Sequence, residues 1–223
     1  MERQVSPNFD ERPDGTTIDM LVLHYTGMQT AKAAVERLCD AEARVSAHYL
    51  IHEDGRVLQM VEENSRAWHA GAAWWRGNSD INGRSIGIEL VNPGHEFGLR
   101  SFPEKQMKAL VELALDILHR YSIPARNVVG HSDVAPRRKY DPGEMFDWLG
   151  LSRLGIGIWP EGAAPHEMEV KKATILLKTF GYETIDMDKT LQAFQRHYRP
   201  SKIDGELDPE TAGLLDRLSA SVG

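Results

Sequence analysis

The segment DMLVLHYT, Asp19 to Thr26, constrains the fold more than any other stretch of the chain. Met20 to Leu23 is an unbroken apolar run with no polar side to turn towards water, so it predicts a strand covered on both faces. His24 ends the run and puts an imidazole at the end of a buried strand. Loops leaving one edge of a sheet converge there and build sites.

The neighbouring segments supply the cover. After Thr30, residues Ala31, Ala34, Val35, Leu38 and Cys39 recur at helical spacing, with Lys32, Glu36, Arg37 and Asp40 outward. Cys39, the one cysteine, reads as a small core residue and excludes an intramolecular disulfide. AHYLIHEDGRVLQMV reads as a hairpin turning at Asp54-Gly55. In SIGIELV, Ile86, Ile88 and Leu90 share one strand face and Gly87, Glu89 and Val91 the other. Pro103 and Glu104 open a helix whose stripe runs Met107, Leu110, Val111, Ala114, Ile117, Leu118, Tyr121. Asn127 to Gly130 is a short strand delivering His131. This order predicts an α/β (α+β) domain over residues 1–160, a mixed central sheet flanked by helices. Gly155 to Pro165, rich in Gly, Pro and Ala, reads as a linker. Helical patterns at about 167–180, 188–198 and 208–219 then predict a small all-α three-helix domain over 166–223, with Asp208 and Pro209 as helix-start residues.

A hydrophobic content of 41% over 223 residues suffices for a core, and a net charge of -7 argues against a nucleic-acid binder. No stretch is long and apolar enough for a membrane span, and the amino terminus lacks the apolar run of an export signal. The expectation is therefore a cytoplasmic protein, with the periplasm or cell envelope left open if the amino terminus has been trimmed.

Nine histidines invite a search for a metal. His52, His95, His119, His166 and His197 read as solvated side chains without partners at ligand spacing. His24 and His131 differ, because each ends an apolar strand, and Asp141 lies on the loop that His131 begins. That loop, GHSDVAPRRKYDPG (residues 130–143), is broken by two prolines and reads as non-helical. Two imidazoles and a carboxylate fill three positions of a tetrahedral zinc ion and leave one open, as in catalytic sites. Hydrogen-bonded structural histidines are the alternative at this point. Glu89 sits in an otherwise apolar strand, so it is either ion-paired or a general base with a raised pKa. Lys139 is either a solvated lysine or a positive charge for an oxyanion.

LVLHYT, VSAHYLIHEDGRVLQMV, RAWHAG, SIGIELVN and GHSDVAPRRKYDPG, in this order, resemble the zinc-dependent N-acetylmuramoyl-L-alanine amidases of the amidase type 2 family, which share a fold with peptidoglycan recognition proteins. The resemblance covers roughly residues 15–150. It implies one Zn²⁺ per chain on His24, His131 and Asp141, a catalytic Glu89 and a transition-state Lys139. It also implies a substrate cleft lined by His48, Trp68 and His69. Arg137 joins that group as a substrate-binding candidate, although the family pattern APGRKxDPG has glycine in its place. The implied substrate is peptidoglycan or an (anhydro)muropeptide, cut between N-acetylmuramic acid and L-alanine. A non-catalytic muropeptide recognition module and a zinc hydrolase of another amide are the alternatives. LQAFQRHYRPSKIDGELDPETAGLL resembles a three-helix peptidoglycan-binding domain, with a packing module as its alternative reading.

Overall fold

The computed structural model describes residues 1–221. Its strands are β1 (Glu2–Arg3), β2 (Phe9–Glu11), β3 (Met20–Tyr25), β4 (Tyr49–Ile51), β5 (Val57–Gln59), β6 (Ser65–Ala67), β7 (Ser85–Leu90) and β8 (Val128–Gly130). Its helices are α1 (Ala31–Cys39), α2 (Ile81–Arg84), α3 (Gly94–Phe97), α4 (Glu104–Tyr121), α5 (His131–Val134), α6 (Trp148–Arg153), α7 (Val170–Phe180), α8 (Met187–Tyr198) and α9 (Pro209–Ala220).

Six strands form one mixed sheet in the order β1-β5-β4-β7-β3-β8. β4, β7, β3 and β8 run parallel, β5 returns antiparallel to β4, and β1 lies parallel to β5 on the edge. The hairpin turns where expected, with Gly55 at a φ of +89° and its N–H donating to the His52 carbonyl at 3.0 Å. β2 and β6 make a separate antiparallel pair. Neither β1 nor β2 was foreseen, because two or three residues carry too little periodicity to show.

The apolar run of β3 is fully enclosed, Met20 to Leu23 each being 0% exposed. Alternation sends Leu21 and Leu23, with Ile86, Ile88 and Leu90 of β7, against Leu110, Ala114 and Ile117 of α4. Met20 and Val22 go to the opposite face, where Trp75 and Ile81 meet Leu177, Phe180, Phe194, Tyr198, Leu215 and Leu218 of α7, α8 and α9. Full burial of one such side chain stabilises by about 1.5–3 kcal/mol. The C-terminal helices therefore do not stand apart from the sheet but complete its second layer. α1 covers the flank through Ala34 and Leu38, packed on Leu50, Leu58 and Met60, and is capped by Thr30 Oγ1 accepting the Ala33 N–H at 3.1 Å.

One local expectation is corrected. Residues 131–134 close a single helical turn, α5, although the segment reads as non-helical. Asp133 Oδ2 accepts the Gly130 N–H at 2.7 Å, which starts the turn. Pro136 disfavours continuation beyond Ala135.

Candidate metal centre and catalytic cleft

His24 follows Met20 and Val22 to the face away from α4, and the parallel register sets it directly beside Glu89. Leu23 pairs with Gly130, so the residue after β8, His131, arrives at the same edge. The Ser132 N–H donates to the Asp141 carbonyl at 2.9 Å and folds the far end of the loop back onto its start. His24, His131 and Asp141 thus bring one ligand atom each to within 4.8 Å of one another, all three side chains buried.

Hydrogen bonding determines which ring nitrogens carry protons. Ser85 Oγ donates to the Ile81 carbonyl at 2.6 Å, so it accepts from His69 Nε2 at 3.0 Å. His69 Nδ1 is then an acceptor and takes the Nε2 proton of His24 at 3.1 Å. His131 Nε2 donates to the Ala70 carbonyl at 2.9 Å. Both Nδ1 atoms are left as bare lone pairs, 3.0 Å from each other and 2.9 and 3.1 Å from Asp141 Oδ2. Burial favours the neutral rings of His24 and His69. It pushes His24 down to about 4 and His69 well below the usual imidazole range, and the neighbouring imidazoles add to both shifts. Three acceptor atoms facing one another with no proton to share repel unless a cation lies among them. Two imidazoles and a carboxylate, each imidazole held through its other nitrogen, suit a zinc ion.

Glu89 lies beside this cluster, 9% exposed, and its Oε2 is buried without a hydrogen-bond partner. Burial and the Asp141 carboxylate raise its pKa well above the usual carboxylate range, against the opposing pull of Lys139. Glu89, His131 and Asp141 open into a cavity of about 660 Å³ whose walls also carry His69, Lys139, Tyr140, Arg37 and Phe97. Lys139 makes no ion pair among the described residues.

Three residues expected in the substrate cleft lie off this cavity wall, and the solvated reading of His197 needs correction. His48 is 0% exposed and lines no part of the cavity. Its Nδ1 accepts the Gly87 N–H at 3.0 Å and its Nε2 lies 3.2 Å from the Ser65 carbonyl, so it fastens β4 to β7. Trp68 is half-buried and also lies off the cavity, with its N–H donating to Ser46 Oγ at 2.8 Å. Arg137 points away as well, making a two-armed ion pair with Glu183 at 3.0 and 3.1 Å. Its φ is not positive, so this loop has no need of glycine there. His197 is not solvated but 2% exposed, stacked on Trp148 at 3.8 Å, with its Nδ1 2.7 Å from Asp133 Oδ2. The sequence reading also missed Ser85 and His95. His95 lines the cavity between Tyr25 Oη at 2.8 Å and Glu144 Oε2 at 2.9 Å.

The amidase type 2 family pattern, described as N-acetylmuramoyl-L-alanine amidase, matches residues 14–144. N-acetylmuramoyl-L-alanine amidase AmiD of Escherichia coli is 37% identical over 234 residues, covering 92% of this chain and 84% of AmiD. The structure of E. coli AmiD complexed with the substrate anhydro-N-acetylmuramic acid-L-Ala-D-γ-Glu-L-Lys superposes with a TM-score of 0.85 at 34% identity, covering 97% of this chain and 98% of that one. AmpDh3 of Pseudomonas aeruginosa, complexed with an anhydromuramic pentapeptide, superposes with a TM-score of 0.83 at 34% identity, covering 94% of each chain. The family pattern spans residues 14–144 and the likeness to AmiD covers 92% of the sequence at 37% identity, so the chain belongs to the N-acetylmuramoyl-L-alanine amidase family.

Proposed function

We propose that this chain is a zinc-dependent amidase that hydrolyses the bond between the lactyl carbonyl of N-acetylmuramic acid and L-alanine in muropeptides. The observation that carries the proposal is the meeting of three proton-free donor atoms, on His24, His131 and Asp141, beside the unpartnered oxygen of Glu89. The two likenesses to amidases bound to anhydromuramyl peptides support the substrate class.

His24 Nδ1, His131 Nδ1 and Asp141 Oδ2 would hold the ion. When bound, zinc lowers the pKa of water to about 7 and polarises the scissile carbonyl. Glu89, with its raised pKa and free oxygen, takes a proton as water attacks the carbonyl carbon. It then gives that proton to the departing L-alanine nitrogen as the C–N bond breaks. The Lys139 ammonium faces the carbonyl oxygen as negative charge develops, a contribution of the kind whose loss costs about 10²–10³ in rate. His69 and Ser85 keep the Nδ1 lone pair of His24 available and the ring fixed. The products are the muramic acid carboxylate and the free peptide amine.

A muropeptide recognition module would have no use for a buried carboxylate with an idle oxygen. The test is release of L-alanyl peptide from an N-acetylmuramyl-L-alanyl peptide by the full chain. Release is expected with one equivalent of zinc, with loss on chelation and recovery on re-addition. Binding without release in the zinc-loaded chain would overturn the proposal in favour of recognition.

A further inference from the structure

The family pattern APGRKxDPG leaves one position of the site loop open, and in this chain Tyr140 fills it. Tyr140 stands between Lys139 and Asp141, lines the same cavity and is 47% exposed. Two groups brace its ring. The Arg196 guanidinium, carried by α8, lies 4.8 Å from the ring centroid, and Arg196 itself is only 8% exposed. Arg196 Nε is buried without a hydrogen bond, 3.8 Å from Glu144 Oε2, so the ring is a principal neighbour of this cation. The His95 ring lies 5.6 Å from that of Tyr140, and Tyr25 and Glu144 hold His95 in turn. Phe97, 42% exposed, and Tyr25 add further aromatic side chains to the cavity wall.

A braced aromatic ring left half-open beside the reacting atoms suits an uncharged group with C–H faces. The two halves of a muropeptide differ in this respect. The stem peptide carries ionised carboxylates, for which the cavity offers the guanidinium of Arg37. The sugar carries no ionised group and presents C–H bonds on its ring faces.

We propose that Tyr140, braced by Arg196 of the C-terminal helices, is the platform on which the muramyl sugar stacks. This rests on the amidase reading above and gives α8 a part in substrate selection. Tyr140 and Arg196 are specificity-determining and positioning residues respectively, and neither takes part in proton transfer.

The experiment compares N-acetylmuramyl-L-alanyl-D-isoglutamine with its sugar-free analogue D-lactoyl-L-alanyl-D-isoglutamine, using the zinc-loaded full chain. Tyr140→Ala should raise KM for the muramyl substrate about tenfold, equivalent to about 1.4 kcal/mol, and leave kcat within about twofold. It should leave KM for the lactoyl substrate and the zinc content as in wild type. Tyr140→Phe should match wild type on both substrates, and Arg196→Met should raise KM for the muramyl substrate alone. An equal change on both substrates, or none on either, overturns the proposal. Should wild type cleave neither substrate, the amidase reading fails separately. Calorimetric titration of the muramyl compound into wild type and Tyr140→Ala then decides the platform, and equal Kd values overturn it.

Discussion

The His69 ring occupies the space that a side chain on Gly87 would need: a β-carbon built there lies 2.4 Å from His69 Cγ. Gly87 is extended strand, so space rather than backbone freedom demands glycine. The bare strand lets the ring lie flat enough to join Ser85 to His24, and that link leaves the His24 lone pair facing the candidate metal centre.

Gly87→Ala should therefore push His69 aside and weaken zinc binding about 10–100-fold, the usual cost of losing a partner that orients a ligand. Ser85→Ala should act in the same direction. Competition titration with a chromophoric chelator measures both, and wild-type zinc affinity in Gly87→Ala would refute the link.

Replacing Glu89 with glutamine keeps the shape and removes the base. Turnover should fall by about 10²–10⁴ while zinc content stays at one per chain. The same change relieves a buried carboxylate whose Oε2 has no partner, so the melting temperature should hold or rise. A stable, zinc-loaded variant with near-normal turnover would remove Glu89 from the mechanism.

Three residues at the centre are legible because each ends or occupies a strand whose apolar pattern is local, while Asp141 lies on the loop that His131 begins. His24 closes Met20–Leu23, His131 closes 127–130, and Glu89 interrupts SIGIELV. What the sequence hid was decided by packing between distant segments. His197 reads as a surface residue on α8 until that helix docks against α5, which carries Asp133, 64 residues earlier. Arg137, a substrate-binding candidate where the family pattern has glycine, pairs with Glu183, 46 residues later. The contacts of the His48 ring nitrogens, with the Gly87 N–H and the Ser65 carbonyl, are 39 and 17 residues away and equally invisible in the sequence.

Acid should weaken the fold through Glu63. Burial alone would raise its pKa, but Arg120 and the hydroxyls of Tyr49 and Tyr121, both at 2.8 Å, outweigh burial and hold it below the usual value. A carboxylate depressed in the folded state contributes stability that is complete above its unfolded pKa and is lost as pH falls through the folded value. Urea midpoints should thus be level from neutral pH down to about 5 and drop below about 4.5. Arg120→Ala should flatten that drop, and an unchanged acid limb would show that other carboxylates govern it.

Asp133 should prove to be the joint between the sheet and the C-terminal helices. Its Oδ1 accepts from Tyr182 at 2.6 Å, and its Oδ2 faces both the Gly130 N–H and His197 Nδ1 at 2.7 Å, with Asp133 1% exposed. His197→Ala removes one partner of a fully buried pair and empties the space stacked on Trp148. The cost should be about 3–5 kcal/mol, since a buried ring stacked on Trp148 is lost together with one of the three hydrogen bonds to Asp133. Tyr182→Phe loses only a hydroxyl donor and should cost about 1–3 kcal/mol. Because Asp133 lies two residues from His131, both variants should lower zinc affinity in the same order as they lower stability. A destabilised His197→Ala with unaltered zinc affinity would mean that the C-terminal helices support the fold without reaching the centre.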